Sequence, residues 1–185
     1  MNEKYYQLVR RKFDKRGEDF TELFQAVLSI ADETGLDEAL QYLERCRIEK
    51  RLSWLDKNLE HLEKTGNPLD DGYRIFYQVY LGLSTPEDGE IIERTDTRML
   101  TRWWNRCPTL EACKKLGLDT REVCRKAQHK PVQVFLSRID PRLRFERDYD
   151  RLRPHGPYCE EIISLEERSN PGGTCQAGAL RPSRV

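Results

Sequence analysis

The sequence predicts an α+β fold: N-terminal helices packed on a small antiparallel sheet of about four strands, with short helices inserted between the strand pairs. Three observations predict it. Apolar residues recur at steps of three and four through residues 1–85. After Pro86 the pattern changes to alternation at every second residue, broken by short helical stretches. The length, 185 residues, suits one domain with at most a small helical appendage. The expected division is one α+β domain over 1–167, with a mainly helical part (1–85) and a strand–helix–strand part (86–167). Residues 168–185 are rich in Gly, Pro and Ser and are expected to be a disordered tail holding Cys175.

Tyr5, Val9 and Phe13 recur at steps of four and mark the first helix. Phe20, Leu23, Phe24, Val27 and Leu28 form one apolar face of the second, which Gly35 is suited to stop. Asp37 can cap the next helix. Ile48, Leu52, Leu55, Leu59 and Leu62 make a heptad-like stripe, whose use is packing on its own domain or a homodimer seam. Leu69–Leu83 reads as a further helix, with a strand as the alternative. Gly89–Arg94 and Arg98–Arg106 read as a strand pair joined at residues 95–97. Period two puts Met99, Thr101 and Trp103 on one face and Leu100, Arg102 and Trp104 on the other. One of the adjacent tryptophans then belongs to the core and the other to a pocket or subunit contact, unless both simply pack. Thr109 can cap a short helix after Cys107–Pro108, with Cys113 in its core face. Asp119 and Glu122, flanked by Leu118 and Val123, mark the clearest helix start and put Cys124 in its second turn. A short helix from Pro131 to Phe135 and strands over Arg142–Tyr149 and Tyr158–Leu165 complete the domain.

The chain has 32 basic and 32 acidic residues, but they are unevenly placed. Residues 1–100 carry a net −6, residues 101–159 a net +7, and residues 160–185 a net −1. Zero overall charge argues against nucleic-acid binding by a globally basic surface. The basic segment is either a solvated face paired with the acidic half or the surroundings of a site for a small anion. No apolar run reaches membrane-spanning length and no secretory signal opens the chain, so a cytoplasmic protein without a membrane partner is expected. The six cysteines, with no Cys-x-x-Cys pair, are then expected as free thiols rather than disulfides or a zinc ribbon. No glycine-rich phosphate loop, triad or zinc-protease motif is present, and no cofactor is predicted.

The segment Trp103–Ile163 carries a distinctive order. A strand runs into Cys107–Pro108, and a helix leads to Leu116–Gly117–Leu118. A second helix bears Cys124, Ile139–Asp140–Pro141–Arg142–Leu143 follows, and Gly156–Pro157–Tyr158–Cys159 opens a last strand. This order resembles the family named for L-2-amino-thiazoline-4-carboxylic acid hydrolase. Its ending is also similar to the small-molecule-binding domain of 4-vinyl-reductase type, an α+β fold often found as a dimer. The chain departs from the first pattern at Pro157, where an acidic residue is frequent, and at Glu161, where a phenylalanine is usual.

The resemblance implies a hydrolase-like protein acting on a small anionic amidine or thiazoline-type C–N bond. Its alternative is a small-molecule- or metal-binding sensor, with zinc or iron as the metal. It selects Cys107, Cys124 and Cys159 as the cysteines to follow. Cys124 sits near a helix N-terminus with Arg121, Arg125 and Lys126 close in sequence, which would lower its thiol pKa; the alternative is that all three cysteines are buried small hydrophobes. Glu161 shares a strand face with Cys159 and Ile163, and is either a buried carboxylate or a solvated one at the strand's start. His155, in a proline-bounded loop near Cys159, would complete the candidate catalytic set of Cys124, Cys159, Glu161 and His155. Trp103, Trp104, Cys107 and Arg121 are the candidate ligand-binding residues.

Overall fold

A computed structural model describes residues 1–166; the expected tail, with Cys175, lies outside the described residues. Three helices open the chain: α1 (Glu3–Lys15), α2 (Thr21–Thr34) and α3 (Leu36–Asn58). Asn2 caps α1 by accepting from the Lys4 N–H. Gly35 joins α2 to α3 at φ +84°, a left-handed conformation that disfavours any side chain. The stripe that ends at Leu62 is helical only to Asn58 and finishes in a 3₁₀ turn, Leu59–His61. Leu55 is fully buried, and Leu59 and Leu62 pack half-buried on the same core.

The Leu69–Leu83 segment is helical, not a strand, but it changes type midway. Helix α4 (Pro68–Tyr73) starts with Pro68 behind the Asn67 cap and passes into a π-helical stretch, Arg74–Tyr80. The wider turn carries Phe76, Tyr77 and Tyr80. Strands β1 (Gly89–Arg94) and β2 (Arg98–Trp103) then form the expected hairpin. Gly89 is required there, because a Cβ would lie 2.4 Å from the Trp103 ring and 2.5 Å from the Arg102 carbonyl oxygen.

Helices α5 (Pro108–Leu116), α6 (Thr120–Ala127) and α7 (His129–Ile139) follow. Pro108 takes the first position of α5 and Cys107 its cap, so Thr109 does not cap; it is buried inside the first turn. Asp119 caps α6 through the Arg121 N–H at 2.8 Å. Helix α7 begins before Pro131 and runs past Phe135; a proline in a first turn removes an N–H that has no partner within the helix anyway. Strands β3 (Leu143–Asp148) and β4 (Cys159–Leu165) complete an antiparallel sheet of order β1-β2-β4-β3.

Two hydrophobic cores result. The first joins α1, α2, the N-terminal half of α3, α5 and α6 around Phe13, Leu23, Phe24 and Leu43. The second joins the sheet, α4, the π-helical stretch and α7 around Trp103, Phe135, Leu143 and Ile163. Each fully buried side chain of this size contributes roughly 1.5–3 kcal/mol. Helix α3, 23 residues long, runs through both cores, with Leu43 in one and Leu55 in the other. Among the described residues no helix is long and apolar enough to cross a membrane.

Candidate functional site

Strand register builds one wall of the site. Trp103 lies opposite Cys159, and Thr101 opposite Glu161, across the β2–β4 pairing. Glu161 lies opposite Arg147 across the β3–β4 pairing. Period two sends these side chains to the inner face, with Met99, Thr101, Trp103, Glu161 and Ile163 all buried. Glu161 is therefore the buried carboxylate, not the solvated one. Its Oε1 accepts from Arg147 Nε at 2.9 Å and Nη2 at 2.5 Å, and its Oε2 accepts from the Tyr77 hydroxyl at 2.6 Å. Both members of the ion pair are 8% exposed. Thr101 Oγ1 donates to the Glu161 carbonyl oxygen and accepts from Trp103 Nε1 at 2.9 Å. Tyr77 stacks on Trp103 with centroids 4.5 Å apart. Burial, then the Glu161 charge, pushes the Tyr77 hydroxyl well above its ordinary range, so it stays a donor. Burial opposes the Arg147 charge, but Glu161 holds that guanidinium above its usual range.

Helix α3 supplies the facing wall. Arg47 and Arg51, one turn apart, are 4% and 7% exposed. Arg47 donates to the Ala127 carbonyl oxygen at 2.9 Å and to Thr109 Oγ1 at 3.0 Å. Arg51 Nη2 donates to Gln128 Oε1 at 3.3 Å, while its Nη1 is buried with no hydrogen-bond partner. Burial pulls both guanidinium pKa values down, Arg47 to about 9. Neither has a carboxylate partner among the described residues; their hydrogen-bond partners are neutral.

Between the walls lies a cavity of about 470 Å³, within the range of small-molecule sites. Phe76, Tyr80, Val132 and Leu152 give it apolar surface. Its edge includes the exposed residues Glu18, Leu81 and Arg106, and an Arg106–Glu18 ion pair of 2.5 Å. Of the residues singled out from sequence, Trp103, Cys107, Cys124, Cys159 and Glu161 all line this cavity. They come from β2, the cap of α5, α6 and β4.

Three others do not line it. Trp104 points the opposite way from Trp103, is 40% exposed, and donates Nε1 to the Glu87 carbonyl oxygen. Arg121 lies off the buried face of α6 formed by Thr120, Val123, Cys124 and Ala127, and folds back on Asp119 at 2.7 Å. His155 stands 3.4 Å from the same Asp119, 39% exposed. The expected lowering of the Cys124 pKa is also reversed. Its thiol is buried, and burial pushes it up to about 12 despite Arg147 and Arg47 nearby. Cys159 meets a different group: Arg153 Nε donates to its Sγ at 3.5 Å. Among the described residues no group of three His, Cys, Asp or Glu side chains is placed to hold a metal ion, so the shared cavity does not make the thiols a ligand set.

Sequence reasoning missed Arg47, Arg51, Tyr77 and Arg147. A signal existed for three of them. Leu43, Arg47, Arg51 and Leu55 follow one another at steps of four, which puts two arginines inside an apolar helical stripe. Leu143, Phe145 and Arg147 share the same strand parity. No protein-family model, curated protein or solved structure matches the chain.

Proposed function

We propose that the protein binds a small organic anion in the cavity between its helical and sheet layers. The observation that carries this reading is the pair Arg47 and Arg51, buried against the cavity with no ion-pair partner among the described residues. A buried charge without a counter-charge is costly, and an anionic ligand supplies the missing partner. Guanidinium groups match planar oxyanions such as carboxylates, and the apolar walls suit a short organic body. The test is a thermal-shift and calorimetric comparison of small carboxylates with their neutral amides. Binding of the carboxylates alone, abolished in Arg51→Met, supports the reading. Equal binding of the amides contradicts it.

One observation favours a second reading, hydrolysis of an amidine- or thiazoline-type C–N bond, as the family resemblance implies. Arg153 Nε donates to Cys159 Sγ at 3.5 Å, which sets a cationic group on a thiol that lines the cavity. Attack by this sulfur on the carbon between the heteroatoms forms an S–C bond, and the C–N bond breaks as the thiol's proton passes to the departing nitrogen. One water then cleaves the S–C bond and restores the thiol. Glu161, with both oxygens engaged, holds Arg147 and Tyr77 in place rather than carrying the proton. Amine release from a thiazoline carboxylate should vanish in Cys159→Ala and persist in Cys124→Ala. The reverse pattern would remove this assignment.

A further inference from the structure

We infer that the cavity is shaped for an anion carrying two negative charges, answered by Arg51 and by Arg16. This rests on the anion-binding reading above and specifies its ligand. Six arginines and two glutamates line the cavity. Glu161 is committed to Arg147 and Glu18 to Arg106. Arg16, Arg47, Arg51 and Arg153 have no carboxylate partner among the described residues.

Two of these four also present an unused nitrogen. Arg51 Nη1 and Arg16 Nε are buried with no hydrogen-bond partner, and the two arginines line the cavity, one from α3 and one from just past the end of α1. Arg16 follows the end of α1, where its Nη1 donates to the Phe13 carbonyl oxygen. Both guanidiniums are seated on ring faces. Arg16 lies 3.7 Å from the Phe13 centroid and 5.0 Å from that of Phe20; Arg51 lies 5.4 Å from Phe76 and 6.0 Å from Tyr80. Such seats fix the planar group and leave its edge for an oxyanion. Arg47 stands within charge–charge range of both, and their charges disfavour its own. A single negative charge would leave one unused nitrogen unanswered. A dianion answers both, whether a dicarboxylate or a phosphate monoester.

Calorimetry on the full chain separates the cases. The probes are succinate and glutarate, succinamate as the singly charged counterpart, and methyl phosphate with dimethyl phosphate as its own counterpart. The expected result is that a dianion binds about tenfold tighter or more than its singly charged counterpart. Arg16→Gln and Arg51→Gln should each erase that difference while retaining the wild-type circular dichroism and a cooperative unfolding transition. If a variant fails to fold, Arg16→Lys or Arg51→Lys replaces it; the charge is kept, the planar fork is lost, and the preference should weaken. A preference for methyl phosphate over succinate assigns the dianion to a phosphate monoester, and the converse to a dicarboxylate. Equal affinity for dianions and their singly charged counterparts, still lost in Arg51→Gln, overturns this inference and leaves the anion site standing. No binding of any of these anions overturns both.

Discussion

On the sheet wall of the cavity, Arg147 forks onto Glu161, which also accepts from Tyr77. On the helical wall, Arg47 and Arg51 are buried to a similar degree but donate to neutral groups, among them a carbonyl, a hydroxyl and a side-chain amide. The same side chain is thus neutralised on one side of a single cavity and left charged on the other. The difference separates two jobs. A closed ion pair with its hydrogen bonds satisfied fixes the register of β3 against β4 and holds the Tyr77–Trp103 stack. A guanidinium with a spare donor and no counter-charge is what the proposed anion would pair with.

The sharpest way to break this comparison is to remove Glu161. Glu161→Ala leaves Arg147 buried without a counter-charge, and we expect a loss of about 3–5 kcal/mol in urea unfolding. A loss below about 1 kcal/mol would show that the sheet wall does not depend on the pair.

A smaller effect concerns the thiols. Burial pushes Cys46 up to about 11 and Cys113 and Cys124 up to about 12, from an ordinary value of 9.0. Each raised pKa favours the folded state below pH 9.0, where both states hold the proton. Above that, the unfolded chain loses protons that the folded chain keeps, so stability falls as pH rises from 9.0 toward 12. Unfolding measured across this window in wild type and in Cys113→Ala/Cys124→Ala should show a shallower decline in the double variant. Parallel declines would place the alkaline sensitivity elsewhere.

The smallest effect belongs to the cavity's edge. Arg106 and Glu18 are 65% and 84% exposed, so Glu18→Ala should change stability by less than about 0.5 kcal/mol. A larger change would mean that the edge supports the fold rather than bordering it.

Much of the scaffold was legible because its signals are local. The alternation Met99–Thr101–Trp103 placed these residues on one face, and that face is the buried one. The Asp119 cap put Cys124 in the second turn of α6, where it lines the cavity. What local reading lacked was pairing between distant segments. Charged residues are ordinarily solvated, so Arg47, Arg51 and Arg147 drew no attention, although apolar neighbours at steps of four and two surround them. The Glu161 environment depends on a register that joins residues 147 and 161 to 101, which no single stretch of sequence encodes. For Cys124, the basic residues close in sequence do not decide its chemistry. Arg121 turns to Asp119, and desolvation by burial decides the thiol's pKa.

Equilibrium unfolding of wild type and Arg51→Met, with and without a saturating small carboxylate, tests the central claim most directly. Methionine keeps the contact with the Phe76 and Tyr80 rings but removes the unpaired charge. We expect Arg51→Met to be at least as stable as wild type without ligand, and the carboxylate to stabilise wild type alone. A loss of about 2 kcal/mol or more in ligand-free Arg51→Met would contradict the account, because it would make Arg51 a structural residue of the fold.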